Sequence, residues 1–587
     1  MNGEHMISSI RPGHPRLFLS ADWLTTLNSK KNKDRFLFSL INHIQYEADR
    51  IIESEPVPFR ITGPRMLHNC QQILHRITTL GLIYLISKEK KYLLRTLLEI
   101  HTAAHYPHWN PDHFLDTAEL CTAFGIAYDW LHNEFSEVEL ADVRTALIDK
   151  GLEPGLQAYK KNFWWVDNRF NWNTVCHGGL LIGSLAVADE RPELAENILS
   201  TALKKIPLSL VNYGPDGAWQ AGPDYWCYTT WYAALITAAL QSACGHDFDL
   251  LQTPGLEKAG LFPVQCTGPT NMYFNFADAA VEAGSQPSFF WLAKQFRHSR
   301  LIYENHRLLK MEISAGTPVN PFNLVWYEPL NSPEPDLPKI TCFKGPETVF
   351  MRSGWNDPMA FFIGFKGGFN QADHGHLDLG SFIFDAFGTR WAHDPGRDNY
   401  DLPGYWDNKE GGDRWKIFRL NNRSHNTLTL NDDIQRAEAT ATIIKTCSSE
   451  NKYFAVADLS EAYHPHTWQV RRGIALIDNA SMMIQDEILW ASTEKFLQWQ
   501  MMTDAEIILQ GTKAILKKKN DVLTARILSP SGACFSVMPV NRPEPENSNM
   551  GFQQLIIKFK ADEKNTIICV VIGAEFRDKR IIRLEDW

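Results

Sequence analysis

The sequence predicts an N-terminal α/α toroid followed by a C-terminal antiparallel β-sandwich. Apolar residues recur every three or four positions over roughly residues 36–310, and every second position beyond about residue 340. Six prolines within 316–338 separate the two patterns, and this density of proline ends helices and marks a linker. We therefore predict a toroid domain over 1–315, a linker over 316–338 and a sandwich domain over 339–587.

The helical half shows several amphipathic segments of similar length, joined by short loops. Ser136 and Glu139 form a capping-box pattern, and Pro192 suits the first turn of a helix. Because no fixed-period repeat is present, a closed ring of antiparallel helical hairpins is favoured over a solenoid. The predicted helices are 36–52, 68–86, 92–105, 114–131, 139–159, 193–205, 225–242 and 289–295, and a further helix begins near residue 171.

The C-terminal half reads as short strands divided by turn residues. Alternation of apolar and polar side chains is typical of strands with one buried face, and many such runs in succession indicate a sandwich. The predicted strands are 348–352, 359–365, 381–387, 426–430, 440–446, 453–459, 474–477, 481–487, 495–502, 523–527 and 555–560.

Size and charge limit the classes of function. The chain has 587 residues, of which 44% are hydrophobic, so two or three well-packed domains are expected. Its net charge of −10 argues against nucleic acid and membrane surfaces as partners, although a local basic groove can still bind an acidic polysaccharide. No apolar run approaches the roughly 18 residues of a membrane span, and residues 1–6 show no secretory signal.

The cluster of His376, Asp394 and His425 is the strongest chemical signal. One carboxylate and two imidazoles from three successive strand regions suit a borderline metal such as zinc, although the same groups could be hydrogen-bonded core residues. His374 lies two residues before His376 and would share its face on a strand. Because Gly375 lets the backbone bend, one histidine could bind metal while the other faces a cleft.

The helical half contributes two further candidate elements. Asn173 and His177 lie four residues apart and project from one helix face, where they could hold a carboxylate or serve as a cap and a packed histidine. A Gly/Pro-rich loop precedes Tyr225 and Tyr228, and a tyrosine there can transfer protons if its pKa is lowered. The candidate substrate-binding residues around these motifs are Trp172, Trp219, Gln220, Tyr225, Arg169, Tyr400, Arg414 and Arg419.

These motifs together resemble the heparinase II/III-like polysaccharide lyases and their alginate-lyase relatives. The resemblance runs from 63–65 through 113–120 to 374–381, 394–396 and 425–427. It implies an incomplete α/α toroid followed by an antiparallel β-sandwich. Two positions depart from the family pattern: Thr174 stands where many relatives have a histidine, and Gln220 where many have an acidic residue.

The resemblance also implies residue roles and a reaction. His376, Asp394 and His425 would hold a divalent metal, zinc or else manganese, in a mainly structural role. His374 and Tyr228 would form the proton-transfer pair, and Asn173 would contact the substrate carboxylate. His177, one helical turn on, could fill the space of the histidine that Thr174 replaces, or that role could be absent.

The implied reaction is β-elimination in a uronic-acid polysaccharide, a glycosaminoglycan before alginate. A uronate C5-epimerase, a metal-dependent hydrolase and a non-catalytic glycan-binding protein are the alternatives. We expect a monomer or homodimer in a bacterial periplasm or cytoplasm.

Overall fold

The computed structural model describes residues 7–20, 22–331, 336–449, 452–573 and 581–587. Residues 1–6, used above to judge a secretory signal, and 332–335 of the predicted linker lie outside these ranges. The chain forms two compact units. The helical unit holds the described residues up to Gly214, with 227–260 and 284–331, and the sheet unit holds 215–226, 261–283 and those from Asp336 onward. The two short segments of the sheet unit lie within the predicted toroid domain, where a boundary drawn along the sequence does not reveal them.

The helical unit contains all but the first five residues of the helix Gly222–Cys244 and nearly all the other α-helices. Every helix predicted from periodicity is confirmed, and the segment 139–159 is divided by a π-helical turn at Ile148–Leu152. The helices are Trp23–Lys31, Arg35–Ile52, Leu67–Ser87, Lys90–Ala104, Leu115–Trp130, Glu137–Leu147, Glu153–Lys160, Asn171–Ala186, Pro192–Lys205, Pro207–Leu210, Gly222–Cys244, Pro287–Phe296, Ser299–Ala315 and Phe322–Val325.

The helix Ser299–Ala315 was not among the predicted helices. Its buried positions include Arg300, Glu304, Asn305 and His306. Polar residues on the inward face interrupt the apolar period on which the prediction depends.

The helix Leu115–Trp130 is the centre of the helical unit, because all of its residues are buried. It packs against Leu67–Ser87 and Asn171–Ala186. The contact with the latter depends on glycine, since a Cβ on Gly179 would lie 2.2 Å from the carbonyl oxygen of Ala118. This close packing carries polar side chains of both helices into the interior of the unit.

Besides its segment 215–226, the described part of the sheet unit contains the short helix Leu261–Cys266 and eighteen strands. They are β1 Ile340–Phe343, β2 Thr348–Arg352, β3 Phe362–Lys366, β4 Gly368–Phe369, β5 Phe382–Ala386, β6 Thr389–Ala392, β7 Leu428–Leu430, β8 Thr440–Ser449, β9 Lys452–Asp458, β10 Thr467–Ile477, β11 Ser481–Trp490, β12 Phe496–Thr503, β13 Glu506–Gln510, β14 Lys513–Lys518, β15 Asp521–Ser529, β16 Phe535–Pro539, β17 Gln553–Lys560 and β18 Asn565–Gly573.

The strands form three antiparallel sheets. Their orders are β1-β2-β3-β5-β6, β13-β14-β15-β18-β11-β10-β9-β8-β4 and β16-β17-β12-β7. Side chains from all three, among them Val349, Ile484 and Trp499, meet in one apolar core. All eleven predicted strands are confirmed. The central strand β18 was missed because it is a nearly continuous apolar run with no clear alternation.

The connections between strands carry the polar groups described next. The turn between β4 and β5, the long connection from β6 to β7 and the segment 261–283 all belong to the sheet unit. Within the described ranges, every helix is too short or too polar to cross a membrane.

Candidate functional site

His374, Gly375 and His376 lie in a turn between β4 and β5, and the strand conformation predicted for them is wrong. His374 adopts the left-handed region with φ of +57°, which costs free energy in a residue other than glycine. Gly375 has no room for a side chain, because a Cβ there would lie 2.4 Å from the carbonyl oxygen of Asn370. The bend predicted at Gly375 is present, and it brings both imidazoles to one carboxylate.

That carboxylate belongs to Asp278, a fully buried residue. Its Oδ2 accepts a hydrogen bond from His374 Nδ1 at 2.8 Å, and its Oδ1 accepts one from His376 Nε2 at 2.9 Å. The Tyr405 hydroxyl also donates to Oδ1 at 2.6 Å, and the Arg414 guanidinium lies 3.4 Å away. Burial alone would raise the pKa of Asp278, but the charge of Arg414 and the two imidazole donors hold that pKa well below its usual range.

His376, Asp394 and His425 form the predicted cluster. One potential ligand atom from each lies within 4.8 Å of the others. Asp394 Oδ2 accepts from His425 Nδ1 at 3.0 Å, and Asp394 Oδ1 accepts from the Gly396 backbone amide. His376 Nδ1 and His425 Nε2 are buried and have no hydrogen-bond partner among the residues described. Buried nitrogens left in this way suit metal ligation, so the donor set fits a divalent cation.

The electrostatics of the cluster follow from burial and from Asp394. Burial lowers the pKa of His376, which favours the neutral imidazole that a metal requires. Burial acts in the same direction on His425, but the Asp394 carboxylate outweighs it and raises the pKa of His425. The pKa of Asp394 is lowered because the neighbouring imidazoles overcome the cost of its burial.

Aromatic side chains surround His374. The Tyr225 ring stacks on its imidazole with centroids 3.9 Å apart, and the Tyr225 and Tyr400 hydroxyls are hydrogen-bonded at 2.6 Å. The Trp406 indole meets the imidazole edge-on at 5.5 Å and is 55% exposed. His374 Nε2 makes no hydrogen bond within the part of the chain described, and its nearest acidic oxygen, on Asp373, is 4.0 Å away. The imidazole therefore has one nitrogen fixed and one available.

Two arginines predicted to bind substrate, Arg414 and Arg419, donate hydrogen bonds to oxygen atoms of the protein. The buried guanidinium of Arg414 donates to the carbonyl oxygens of Gly375, His374 and Tyr405. Arg419 donates to carbonyl oxygens at 395, 397 and 548 and to the Asn549 side chain. Arg397 differs from both because its side chain is 47% exposed, with its guanidinium 5.7 Å from the Tyr400 ring centroid.

Asn173 and His177 lie inside the helical unit, and both reach the carbonyl oxygen of Val166. The Tyr159 hydroxyl donates to His177 Nδ1 at 2.7 Å, so both ring nitrogens of His177 have partners. Burial lowers the pKa of His177 to about 4. The Asn173 carbonyl accepts from Ser209. The predicted shared helix face is therefore present, and both residues are completely buried on it.

Tyr228 also lies in the helical unit, where its hydroxyl donates to the buried carboxylate of Glu119 at 2.7 Å. Tyr232 donates to the other oxygen at 2.8 Å. Burial and the Glu119 charge raise the pKa of Tyr228 well above its ordinary value. A cavity of about 180 Å³ adjoins this group and is lined partly by His75, Glu119, Tyr228 and Trp231.

The other predicted substrate-binding residues are dispersed. In the helical unit Arg169 is exposed, and the Trp172 ring packs against Trp164 and His113. In the sheet unit Trp219 is buried, whereas the exposed Gln220 lines a small cavity together with Lys366. Their role in binding a substrate stays a prediction.

Asp278, Tyr405 and Trp406 are absent from the sequence predictions. Asp278 stands 96 residues before His374 in a segment without regular secondary structure. Nothing in its local pattern indicates a site, whereas Trp406 could have been found from its place among Tyr400, Tyr405 and the conspicuous histidine motif.

Comparison with known proteins bears on the sheet unit first. Residues 358–573 match the family model described as Heparinase II/III-like, C-terminal. Residues 358–573 therefore form a domain similar to the Heparinase II/III-like C-terminal domain, and the resemblance seen in the sequence is confirmed there. A comparison with curated protein sequences finds no match.

Solved structures extend the similarity over most of the chain. A heparinase III gene product aligns with a TM-score of 0.61 at 14% identity, over 91% of this chain and 84% of its own. Heparan sulfate lyase HepC from Pedobacter heparinus aligns with a TM-score of 0.59 at 12% identity, over 98% and 93%. A structure of heparinase III gives 0.60 at 15%, over 86% and 76%. The predicted fold class, an α/α toroid followed by an antiparallel β-sandwich, is confirmed.

Proposed function

We propose that this protein is a polysaccharide lyase that cleaves a glycosaminoglycan at a uronic acid by β-elimination. Heparan sulfate is the first substrate to test, because the solved structures with this fold include a heparan sulfate lyase and heparinase III. The observation that carries the proposal is His374, whose Nδ1 is held by Asp278 while Nε2 is left available beside two tyrosines and an exposed tryptophan.

The reaction starts by removing the C5 proton of the uronate, next to its carboxylate. A carboxylate accepts hydrogen bonds only, so His374 carries its proton on Nδ1 and has its lone pair on Nε2. That nitrogen is the proposed general base. The C5 electrons then form the new double bond as the C4–O4 bond breaks, and O4 takes a proton from an acid.

A tyrosine is the proposed acid. The family resemblance implies that His374 pairs with Tyr228, whose hydroxyl already donates to Glu119. Tyr225 stacks directly on the His374 ring, and burial with the Tyr400 hydroxyl raises its pKa well above the ordinary value, so the phenol stays protonated at neutral pH. We therefore assign the acid to Tyr225 and keep Tyr228 as the alternative that a Tyr→Phe comparison tests.

Negative charge builds on the uronate carboxylate as the C5 proton leaves, and a cation must stabilise it. Asn173, predicted for this role, has its amide oxygen and nitrogen bonded to Ser209 and Val166. Arg397 is better suited, because it is half-exposed and lies against the Tyr400 ring of the same cluster. Trp406 offers an exposed aromatic face on which a sugar ring can stack.

His376 Nδ1, His425 Nε2 and Asp394 are the proposed ligands of a divalent metal, with zinc the best match to two imidazoles and one carboxylate. A bound metal would supply a fixed positive charge at this cluster, between the turn that carries His374 and the connection from β6 to β7 that carries Asp394 and His425. Its proposed role is structural, and proton transfer belongs to the protein side chains.

The test is to incubate the protein with heparan sulfate, hyaluronan, chondroitin and alginate, and to follow the ultraviolet absorbance of a new carbon–carbon double bond. We expect absorbance to rise with a glycosaminoglycan, and His374→Asn to abolish the rise. Asparagine tolerates the left-handed backbone at this position, so the variant should fold.

The alternatives give different products. Exchange of the C5 hydrogen with solvent, without chain cleavage, would identify an epimerase, and saturated fragments would identify a hydrolase. Binding of the polymers without any product would identify a glycan-binding protein. Each of these results contradicts the lyase proposal.

A further inference from the structure

Asp278 contacts both proposed chemical functions of the site, and the inference drawn from it rests on the lyase and metal-site proposals above. The carboxylate contacts the proposed base through one oxygen and a proposed metal ligand through the other. Both contacts are short, and Asp278 and His376 are fully buried while the His374 side chain is 7% exposed. A single side chain therefore faces both histidines at once.

The direction of each hydrogen bond follows from chemistry. An ionised carboxylate has no proton to give, so each imidazole nitrogen that faces Asp278 carries the hydrogen. A neutral imidazole has one N–H, which leaves the lone pair on the opposite nitrogen. For His374 that nitrogen is Nε2, and for His376 it is Nδ1, the atom without a partner among the described residues.

We propose that Asp278 is a positioning residue that sets the tautomers of His374 and His376 together, so that the base and the metal ligand are prepared by one carboxylate. In catalytic sites a carboxylate that orients an imidazole commonly raises its effectiveness as a base, and in metal sites it raises ligand basicity. Here the two effects share one residue. Tyr405 and Arg414 hold the carboxylate in place from its other sides.

Asp278→Asn separates this role from simple packing. The amide keeps the shape of the carboxylate but presents one donor and one acceptor. Whichever histidine faces the amide nitrogen must accept a hydrogen bond, which moves its proton to the opposite nitrogen. If that histidine is His376, the metal-binding lone pair is lost, and if it is His374, the basic lone pair is lost.

The matched control is Asp129→Asn in the helical unit. Asp129 is also fully buried and accepts a hydrogen bond from the buried His14 Nδ1 at 2.7 Å. Here too a carboxylate that is hydrogen-bonded to a buried imidazole is replaced by an amide, but the pair lies outside the candidate site. This variant reports what losing a buried carboxylate–imidazole pair does by itself.

Zinc affinity is measured by competition with a coloured chelator, and kcat and KM are measured on the polymer that wild type cleaves. For Asp278→Asn we expect zinc affinity to fall by about 10–100-fold or kcat by about 10²–10⁴-fold, with KM little changed. Asp129→Asn should leave zinc affinity and kcat at wild-type values. Equal effects of the two substitutions, or no effect of Asp278→Asn, would overturn the proposal.

A measurement on the wild type removes dependence on the folding of any variant. Protein labelled with ¹⁵N at histidine is examined by long-range ¹H–¹⁵N correlation, which distinguishes the two imidazole tautomers. Signals are assigned by their loss in His374→Asn and His376→Asn. We expect the hydrogen on Nδ1 of His374 and on Nε2 of His376, and any other pair of tautomers refutes the assignment.

The outcomes also distinguish the two proposals. If wild type leaves every polymer intact, the lyase function fails, while the zinc titration and the imidazole spectrum still decide the role of Asp278. If polymers are cleaved and the tautomers differ from those expected, the lyase function stands and the positioning role is wrong.

Discussion

His177 of the helical unit and His376 and His425 of the sheet unit are all buried, and their ring nitrogens have different partners. In the helical unit His177 has a partner on each ring nitrogen, the Tyr159 hydroxyl and the Val166 carbonyl. In the sheet unit His376 and His425 each have one nitrogen hydrogen-bonded to a carboxylate and one buried nitrogen without a partner among the residues described. Burial is the same in all three, at 0% exposure.

From this difference we predict that burial alone does not distinguish a functional histidine from a packed one. A buried polar atom without a partner costs free energy, so its persistence indicates a ligand or a chemical role. His177 has no such atom, and we therefore predict a packing role for it. Substitutions and metal removal can test whether the histidines fall into these two classes, a functional one and a packed one. The effects expected below decrease from the first to the last.

His374→Asn is expected to lower kcat by about 10²–10⁴-fold, because it removes the proposed base while asparagine accepts the left-handed backbone. The measurement is initial rate on the cleaved polymer, with circular dichroism to verify folding. His466→Asn is the control, since His466 pairs with the exposed Asp433 in the same unit. Similar losses in both variants would show that His374 has no special role.

Metal removal should destabilise the wild type. A ligand present at about 1,000 times its Kd contributes roughly 4 kcal/mol to the folded state, so chelation should lower the Tm of the sheet unit by on the order of 10 °C. His425→Ala deletes one of the buried nitrogens, and we expect a chelator to leave its Tm unchanged. A wild-type Tm that is insensitive to chelation after metal loading contradicts a structural metal.

Acid should weaken the helical unit through His177. Its pKa is about 4 in the folded protein against 6.5 for a free histidine, so between these pH values the unfolded chain binds the extra proton. The free energy of unfolding therefore falls as the pH drops from about 6.5 to 4, by on the order of 3 kcal/mol from this residue.

The measurement for this prediction is urea unfolding at several pH values in wild type and His177→Gln. The glutamine variant should be less stable near neutral pH but show a shallower decline toward pH 4. Identical slopes would mean that His177 does not stay neutral in the folded unit. A large loss of zinc affinity in His177→Gln would contradict the distinction between a packed histidine and the proposed metal ligands.

The smallest effect is expected from substitution of two exposed tryptophans. Trp406 is 55% exposed beside His374, and Trp164 is 52% exposed beside Trp172. Loss of one sugar-stacking face costs about 1 kcal/mol, so Trp406→Ala should raise KM by roughly fivefold with kcat little changed. A larger increase in KM for Trp164→Ala would indicate that the sugar stacks on Trp164 of the helical unit instead.

Much of the fold could be predicted because its signals are local. The spacing of apolar residues, three to four in a helix and two in a strand, depends on each element alone. The predicted helices and strands are accordingly confirmed. The failures have physical causes: Ser299–Ala315 buries charged residues, and β18 is apolar along nearly its whole length. Both break the alternation from which elements are recognised.

The site could be predicted only in part. His376, Asp394 and His425 stand out because imidazoles and a carboxylate are close in sequence, whereas Asp278 depends on a contact across 98 residues. The face shared by Asn173 and His177 followed from helical spacing, but spacing does not reveal whether a face points to solvent or to the core. The same limit applies to Arg414, whose burial depends on the turn it supports.

Gly375 has a practical consequence for selection experiments. Every side chain other than hydrogen would collide with the Asn370 carbonyl, so a library randomised at this codon should return glycine in each functional clone. The frequency of glycine among the recovered clones then measures the stringency of the screen, and this measure does not require that the substrate be known. One position in the middle of the motif can thus calibrate the search for a substrate.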